Sequence, residues 1–380
     1  MQRSLFDDTH DDFRESVRGF LLREAVPRRE EWEQAGIIDR HFWKRAAAQG
    51  YVGFSAPEEF GGAGIRDFRF NAVVDEEVVG TGTVGDGFSM CNDIVGPYLI
   101  DITTREQRER WLPGFTSGEI VGAIAMSEPG AGSDLRAIAT TATWRGDHWT
   151  INGSKTFVTN GIQADLVIVA ARLCGAQREG MGLFCVSADA PGFVRGRKLH
   201  KLGRLAQDTA ELFFEDVAVG PESVLGEPGA GLDLLKHNLP QERLSIAVSA
   251  VASAERGLKL TIDYVRERKA FGRTIGALQA TRFSLAQLWA ETAAARAYID
   301  GCIRAHCDGA LSAPDAAAAK YLATELEFRV LDRCVQLHGG YGFMEEYDIA
   351  RMWRDARVQR VYGGANEVML DIVGGSLGLR

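Results

Sequence analysis

The chain has 380 residues, with 43 lysine and arginine residues against 52 aspartate and glutamate residues and a formal charge of −9. This length, with 46% apolar residues, gives room for two or three domains with sizeable cores. Because no basic stripe is available to displace counterions from phosphates, the composition argues against a nucleic-acid-binding protein.

The six cysteines show no CxxC pair and no regular spacing, so neither a disulfide framework nor a metal site is predicted. The first residues, Met1-Gln2-Arg3-Ser4-Leu5-Phe6-Asp7-Asp8, lack an apolar signal region and are too acidic for a transit peptide. No apolar run approaches the roughly 20 residues of a membrane-spanning helix. These features predict a cytoplasmic protein without a membrane span.

The first predicted domain, residues 1–121, is α-helical. Its apolar residues recur at helical spacing, as in Phe13, Val17 and Phe20, and Pro27 marks a helix boundary. A helical domain is therefore expected up to the apolar segment that begins near Val121.

The second predicted domain, residues 122–228, is a small β domain of the sandwich or barrel type. Leu166-Val167-Ile168-Val169 is a short apolar run, and Ala210-Glu211-Leu212-Phe213-Phe214 reads as a strand. Arg145-Gly146-Asp147 lies between two alternating segments, as the turn of a hairpin does.

The third predicted domain, residues 229–380, is a four-helix bundle. Helical periodicity returns after Glu227-Pro228-Gly229, and Leu244, Val248 and Val251 recur on one helix face. The fold class is thus α+β, mainly α, with helices before and after a β domain.

A glycine-rich turn, Glu128-Pro129-Gly130-Ala131-Gly132-Ser133-Asp134, follows an apolar strand. Glycines there allow backbone amides and small hydroxyls to approach a ligand closely, although an ordinary surface turn has the same composition. The segment is not a nicotinamide fingerprint, because the GxGxxG spacing with a following helix is missing.

Four segments together resemble the acyl-CoA dehydrogenase family, flavoenzymes that remove two hydrogens from the α and β carbons of an acyl thioester. The resemblance runs from the first helix to nearly the last residue, and within the family the chain looks most like the long-chain acyl-CoA dehydrogenases. It implies the same order of α, β and α domains. The segments are Ala125-Met126-Ser127-Glu128-Pro129-Gly130-Ala131-Gly132-Ser133-Asp134, Leu239-Pro240-Gln241-Glu242-Arg243-Leu244, Arg268-Lys269-Ala270-Phe271-Gly272 and Gln336-Leu337-His338-Gly339-Gly340-Tyr341-Gly342.

The resemblance implies an FAD site beside the glycine-rich turn. There the backbone and hydroxyls around Met126 and Ser127 face the isoalloxazine ring, and Ser133 lies near the ligand phosphates. Phe157 packs on the flavin and Thr159 forms a hydrogen bond near N5, with Val158 between them. The alternative for Phe157 is an ordinary core aromatic.

Arg268 is expected to bind the cofactor pyrophosphate, because a guanidinium donates two parallel hydrogen bonds to anionic oxygens. The resemblance implies that it reaches the flavin site of a neighbouring subunit, which predicts a homo-oligomer: a dimer at least, with a tetramer as the usual assembly. The alternative is a solvated charge at a helix end. The remaining cofactor-binding residues that the resemblance implies are Phe271, Gln279, Gln336, Gly339, Gly340 and Asn366.

Removing a proton α to a thioester requires a positioned carboxylate in a dry site. Many relatives carry that glutamate after the tyrosine of a Tyr-Glu-Gly-Thr segment, which here reads Tyr362-Gly363-Gly364-Ala365. Long-chain and isovaleryl-type relatives carry it on a helix, in a segment like Gln241-Glu242-Arg243-Leu244, so Glu242 is the predicted base. The alternative places Glu242 in the first turn of a helix that begins at Pro240, where acidic residues favour the helix dipole.

The resemblance also implies the substrate contacts. The amide of Gly363 holds the thioester oxygen and so stabilises the developing enolate. Asp86, Asn92 and Asp93 place polar groups along the segment that lines the acyl pocket in relatives, which leaves the acyl chain length open. The other predicted substrate contacts are Ser133, Leu239, Arg243, Tyr362 and Gly364.

These resemblances predict an FAD-dependent acyl-CoA dehydrogenase that produces a trans-2-enoyl-CoA and passes electrons to an electron-transfer flavoprotein. Two alternatives remain. One is an acyl-CoA oxidase or flavin monooxygenase of the same fold, in which oxygen reoxidises the flavin. The other is a flavin-free acyl-CoA-binding scaffold that has lost its base.

Overall fold

The structure of the chain is a computed structural model that describes residues 3–83, 87–175 and 179–379. Asp86 lies outside the described residues. Helices come first, strands follow and long helices return, so the predicted order of α, β and α parts is confirmed.

The N-terminal helices begin at side-chain caps that the sequence supplies. Asp7 accepts a hydrogen bond from the amide of His10, and Thr104 and Gln107 form a reciprocal capping box. Gly36 ends the second helix with a φ of 66°. The helices are α1 (Asp8–Glu24), α2 (Arg29–Ala35), α3 (Arg40–Ala48), α4 (Phe68–Thr81), α5 (Gly87–Ser89), α6 (Gly96–Asp101) and α7 (Arg105–Thr116).

A π-helical turn, Met90–Val95, joins α5 to α6. Such turns redirect side chains and are frequent at functional sites. Both Asn92 and Asp93 are buried here. Asn92 accepts a hydrogen bond from the amide of Gly53 and donates one to the carbonyl of Tyr51, so it holds the fold together.

The strands form one mixed sheet in the order β1-β4-β2-β3-β7-β6, with β5 paired to β4. The predicted hairpin is confirmed: β2 and β3 are antiparallel, and the amide of Arg145 bonds the carbonyl of His148. The predicted strands around Leu166 and Ala210 are confirmed as well. The strands are β1 (Gly122–Ala125), β2 (Thr141–Trp144), β3 (Trp149–Thr159), β4 (Leu166–Cys174), β5 (Met181–Ser187), β6 (Phe193–Lys198) and β7 (Thr209–Val219).

The long C-terminal helices include one that carries the predicted base. Pro240 lies inside this helix, α8, and not at its start, so the alternative that places Glu242 in a first turn is wrong. The helices are α8 (Gly231–Glu267), α9 (Gln279–Cys307), α10 (Ala313–His338), α11 (Asp348–Ala356) and α12 (Asn366–Ser376), and a short hairpin, β8 (Lys269–Ala270) with β9 (Arg273–Thr274), follows α8.

The N-terminal helices lie between the sheet and the bundle. Ile124 and Ile168 of the sheet share a core with Phe42 and Leu99 of these helices. Ala72 of α4 belongs instead to the core of α8, α9 and α10. Helix α4 and the π turn therefore pack against α8. None of the helices in the described parts of the chain has the length and apolar content needed to cross a bilayer.

Candidate active site

Glu242 is buried where α8 meets α6. Only 4% of its surface is exposed, and its Oε1 accepts a hydrogen bond from the Tyr98 hydroxyl at 3.2 Å. Tyr98 is fully buried as well. The carboxyl group is therefore held in one orientation and shielded from water, as a base that attacks a weak carbon acid requires.

Burial raises the pKa of Glu242 to about 7, while the hydrogen bond from Tyr98 and the charge of Arg243 act in the opposite direction. Burial is the largest of these effects. A base with a pKa near the working pH is partly ionised and still basic enough to take a proton.

Replacing Tyr98 with phenylalanine is expected to move the pH profile of flavin reduction. The tyrosine donates to the ionised carboxylate, so its loss raises the pKa of Glu242 and displaces the midpoint upward by roughly one pH unit. The rate at pH 7 should fall by about fivefold, because the ionised fraction of Glu242 falls by that factor, and it should recover at higher pH. Single-turnover bleaching of the flavin across pH 6 to about 10 measures this.

The matched control is Tyr51→Phe, since Tyr51 is also buried and its hydroxyl bonds only Ser16 at 2.7 Å among the described residues. Its midpoint should match that of the unmodified protein. An unchanged midpoint in the Tyr98→Phe variant would show that this hydroxyl does not tune the base.

Gly363 lies beside α8, one turn beyond Glu242. Arg243 Nε donates to its carbonyl at 3.4 Å, and a Cβ built on Gly363 would lie 2.4 Å from Cδ1 of Ile246. Its φ of 66° is a conformation that glycine adopts without strain. No described residue accepts a hydrogen bond from the Gly363 amide, which leaves that group available to a ligand.

Lys320 is a residue that sequence reasoning missed. It is fully buried on α10, and its Nζ donates to the carbonyl of Gly364 at 2.9 Å and to Oδ1 of Asn366 at 2.8 Å. Asn366 also donates to Thr324 at 3.0 Å. These contacts fix the loop that carries Gly363, and they engage the side chain of Asn366 inside the bundle. A lone lysine in the alanine-rich run of α10 was the available signal.

A buried pair of carboxyl groups lies one turn from Glu242. Ser245 Oγ is 2.8 Å from Asp75 and 2.7 Å from Asp93, and Asn71 donates to Asp93 at 2.6 Å. A hydroxyl has one hydrogen, so one of these carboxyl groups must donate to it. Burial and the charge of Asp93 raise the pKa of Asp75 well above its ordinary value, so the pair keeps at least one proton.

The predicted flavin-contacting residues of the β part lie together at the end of β1 and on β3. Met126 and Ser127 follow β1, and the Ser127 carbonyl accepts from the amide of Thr156 at 2.9 Å. Phe157 is 70% exposed, although it belongs to a strand, and its φ of 58° is unusual for a side chain of its size. The alternative that Phe157 is a core aromatic is therefore wrong. Val158 is buried, Thr159 is half-buried and Ser133 is exposed.

An ion pair anchors the glycine-rich turn to β3. Glu128 accepts from Lys155 Nζ at 2.8 Å and from the amides of Ala139 and Thr140 at 2.6 and 2.9 Å. Despite burial, which acts the other way, these donors lower the pKa of Glu128 to about 2. The side chain of Glu128 thus ties the glycine-rich turn to β3 and to the residues that precede β2. The motif contained this residue, but its role was not predicted.

The other predicted cofactor-binding residues lie near the far end of α8. A cleft of about 590 Å³ is lined by Arg268, Gln336, Gly339 and Gly340. The Arg268 guanidinium stands 5.6 Å from the Tyr341 ring, and no described carboxylate lies within 4.0 Å of it. Phe271 is 93% exposed and Gln279 is exposed, and neither lines the cleft.

These surfaces fit the flavin that the resemblance implies. A Cβ on Gly339 or Gly340 would meet nothing within 4 Å, so the cleft is open to a ligand, and Arg268 offers an unpaired cation for phosphate. Phe157 presents an exposed ring on the other surface. Along α8, 26 residues separate Glu242 from Arg268, about 39 Å of helix. Arg268 is therefore too far from Glu242 to act at the same reacting centre within one chain.

Three family models cover most of the chain. They are described as the N-terminal, middle and C-terminal domains of acyl-CoA dehydrogenase, and they match residues 7–119, 123–217 and 229–378. A long-chain specific acyl-CoA dehydrogenase from Rattus norvegicus is 46% identical over 374 residues, which are 98% of this chain and 87% of that protein.

Solved structures of similar chains share the fold. An acyl-CoA dehydrogenase from Geobacillus kaustophilus has a TM-score of 0.96 and 43% identity, with 100% of both chains covered. A chain of the electron transferring flavoprotein structure from Acidaminococcus fermentans has a TM-score of 0.91 and 31% identity, covering 99% of both. An acyl-CoA dehydrogenase complexed with FAD from Bacillus anthracis has a TM-score of 0.87 and 30% identity, covering 98% of this chain and 67% of that one.

Proposed function

Because this chain belongs to the acyl-CoA dehydrogenase family, and is an oxidoreductase that dehydrogenates acyl-CoA, we propose that Glu242 is its catalytic base. The observation that supports this most strongly is the buried carboxyl group itself, held by Tyr98 at 3.2 Å. The predicted alternative position for a base, residue 363, is a glycine.

Glu242 removes the proton from the α carbon, and its buried carboxyl group then holds that proton away from water. Before the reaction its carboxylate is oriented by the Tyr98 hydroxyl, so little reorganisation is needed when the proton moves. When bound, FAD accepts the hydride that leaves the β carbon, and the product is a trans-2-enoyl-CoA. Ile246, one turn after Glu242, lies beside Gly363, with its Cδ1 2.4 Å from where a Cβ on that glycine would be.

The amide of Gly363 holds the thioester oxygen. Arg243 and Lys320 bind the carbonyls of Gly363 and Gly364, so the loop is fixed through its acceptors while this donor stays free. A donor fixed before the reaction stabilises the negative charge that develops on the oxygen as the α proton leaves. We assign the remaining substrate contacts to Leu239 and Tyr362, which are half-buried, and to the exposed Ser133 of the glycine-rich turn.

Met126, Ser127, Phe157, Val158 and Thr159 hold the flavin ring against the β part. Arg268, together with the cleft that includes Gln336, Gly339 and Gly340, then completes the site of a neighbouring copy, with Phe271 and Gln279 beside it. Asn366 acts indirectly, since it positions the Gly363 loop. This division requires a homo-oligomer, a tetramer in our proposal.

An anaerobic titration with a panel of straight and branched acyl-CoA thioesters tests the proposal. The yellow flavin absorbance should bleach with at least one of them, and acyl-carrier-protein thioesters of the same chains should bleach it more slowly. A purified protein without flavin, or one whose flavin no acyl-CoA bleaches, contradicts the proposal.

The electron acceptor in our proposal is an electron-transfer flavoprotein. Reduced protein should be reoxidised quickly by such a partner and slowly by oxygen. Fast oxygen-dependent turnover without an external acceptor would instead identify an acyl-CoA oxidase or a monooxygenase. A cytoplasmic location also stays a prediction, which cell fractionation tests.

Replacing Arg268 with alanine should lower flavin occupancy and weaken the oligomer together, because the bound cofactor bridges fewer chains. Flavin absorbance per chain and mass by light scattering measure the two effects on the same sample. The control is Arg266→Ala, an exposed arginine two residues away whose nearest carboxylate is Asp263 at 3.7 Å. An Arg268→Ala protein that remains fully yellow and fully assembled would exclude a shared site.

A further inference from the structure

A cavity of about 90 Å³ lies between α4, α8, α10 and α11. Asp75 of α4, Ser249 and Ser253 of α8, and Glu327 of α10 contribute to its wall, together with Gln359. Since a water in the liquid takes up about 30 Å³, the cavity holds roughly three waters or a short stretch of a bound chain.

The cavity lies on the same face of α8 as Glu242. Ser249 and Ser253 follow Glu242 by seven and eleven residues, so each lies within about 20° of its direction and about 10 and 16 Å farther along the helix. At the near end, Asp75 is 2.8 Å from Ser245, one turn after Glu242. The cavity therefore lies on the same face of α8 as Glu242, beyond the buried cluster of Ser245 and Asp75.

Two side chains of this wall have unsatisfied polar atoms. Glu327 is 1% exposed and Gln359 is 2% exposed, and Glu327 Oε1 accepts from Gln359 Nε2 at 2.9 Å. Neither Oε2 of Glu327 nor Oε1 of Gln359 has a partner among the described residues. Because buried polar atoms are costly when unpaired, these two atoms indicate a ligand or water in the cavity.

The two atoms differ in what they offer. Burial raises the pKa of Glu327 to about 8, although Ser253 and Gln359 oppose this, so the group carries a proton at neutral pH. Oε1 already accepts a hydrogen bond, which places the proton on Oε2. These two unpaired atoms therefore present one donor and one acceptor to the cavity. A hydroxyl satisfies both, a methyl group satisfies neither, and a carboxylate cannot donate to Gln359.

Positive charge at one side of the cavity favours a different ligand. Asp348 receives Arg256 Nη2 at 2.6 Å and Arg29 Nη1 at 3.2 Å, and Arg351 also binds it. Three guanidinium groups on one carboxylate leave an excess of positive charge. A chain that ends in a carboxylate is therefore the alternative that the experiment must exclude.

We propose that this cavity is a specificity subsite for a hydroxyl group on the distal part of a long acyl chain. This inference rests on the proposed acyl-CoA dehydrogenation. At roughly 1.3 Å of advance per carbon in an extended chain, a span of about 10 to 16 Å corresponds to about eight to twelve carbons. The hydroxyl would then lie near about carbons 10 to 14, counted from the thioester.

The test compares long-chain acyl-CoA thioesters of one length on the flavin-loaded protein. One is unsubstituted, one ends in a carboxylate, and the others carry a hydroxyl moved stepwise from about carbon 6 to about carbon 16. Two neutral hydrogen bonds should raise kcat/KM roughly tenfold over the unsubstituted chain, with a maximum between about carbons 10 and 14. A cavity that holds only water gives no such maximum, and a preference for the carboxylate also overturns the inference.

Two variants test whether Glu327 and Gln359 cause the preference for a hydroxylated chain. The double variant Glu327→Leu with Gln359→Leu removes the donor and the acceptor together. It should lose the maximum in kcat/KM, while its flavin is still bleached by the unsubstituted acyl-CoA. Glu327→Gln keeps a donor and should retain part of the preference. If the double variant does not fold, two measurements still test the inference. They are the maximum of kcat/KM with hydroxyl position in the unmodified protein and the reduction of that maximum in the Glu327→Gln variant. When the unsubstituted chain bleaches the flavin but no maximum appears, only the inference fails; when no acyl-CoA bleaches it, the proposed function fails as well.

Discussion

Replacing Glu242 with glutamine is expected to slow flavin reduction by acyl-CoA roughly 10²- to 10⁴-fold, the usual contribution of a general base. Glutamine keeps the shape of the side chain and can still accept a hydrogen bond from Tyr98, so flavin content and substrate binding should be kept. Rapid mixing under anaerobic conditions, with substrate binding measured separately, distinguishes the loss of chemistry from the loss of binding.

The same variant should be more stable than the unmodified protein at alkaline pH. With a pKa near 7 in the fold and near 4.5 when unfolded, Glu242 costs stability increasingly as the pH rises between these values, and fully above pH 7. A difference of about 2.5 pH units corresponds to a cost on the order of 3 kcal/mol, which glutamine does not have. Thermal unfolding of both proteins should therefore differ at pH 8 and converge near pH 4.

Glu255→Gln is the matched control for both measurements. Glu255 lies on α8, but it is more exposed and binds Arg296 at 2.6 Å, a pairing outside the proposed site. This variant should reduce flavin at nearly the normal rate. A Glu242→Gln protein that behaves in the same way would refute the assignment of the base.

Moving the base to position 363 should restore part of the activity lost from position 242. Glu242→Gly alone should be nearly inactive, and the addition of Gly363→Glu should recover some flavin reduction, because both positions face the same α carbon in our proposal. Recovery must be incomplete, since errors near 1 Å in the position of the base can cost about 10²-fold. Branched acyl chains should recover less than straight ones.

Ile246 is expected to limit this recovery. A Cβ at position 363 would lie 2.4 Å from Cδ1 of Ile246 but 3.9 Å from its Cγ1. Ile246→Val removes Cδ1 alone, so the triple variant should react faster than the double variant. The φ of 66° at this position remains unfavourable for glutamate, by about 1 to 2 kcal/mol.

Single-turnover bleaching with one straight and one branched acyl-CoA compares these proteins. The control combines Glu242→Gly with Ile246→Val and keeps glycine at 363, which should restore nothing. No recovery in either the double or the triple variant would show that position 363 does not face the reacting carbon.

Local patterns predicted the elements better than their boundaries. The turn at Arg145-Gly146-Asp147 was predictable because the glycine lies between alternating segments, and it has a φ of 107°. The start of α8 was not predictable in this way. Pro240 resembles a first-turn residue. Inside a helix, a proline removes the hydrogen bond to the residue four positions earlier and its ring clashes with that residue's carbonyl, but packing along the remaining turns of a long helix can outweigh this cost.

The site residues that belong to a sequence motif were predictable. Those that reach the site through contacts between distant parts of the sequence were not. Glu242, Gly363 and Phe157 came from segments that resemble a family. Tyr98 lies 144 positions from its partner Glu242, and Lys320 lies 44 positions from Gly364. No local spacing relates such pairs, because only the packing of separate helices brings them together.

The contact between Glu242 and Tyr98 also has a consequence for how the chain acquires activity. A separation of 144 positions means that it forms only after the N-terminal helices have docked on α8, and long-range contacts of this kind are slow to form. Before docking, Glu242 is a solvated carboxylate with its ordinary pKa of 4.5, too weak a base for the reaction. A newly synthesised or partly unfolded chain therefore cannot remove the α proton, because the Glu242 carboxylate becomes basic enough only when folding is complete.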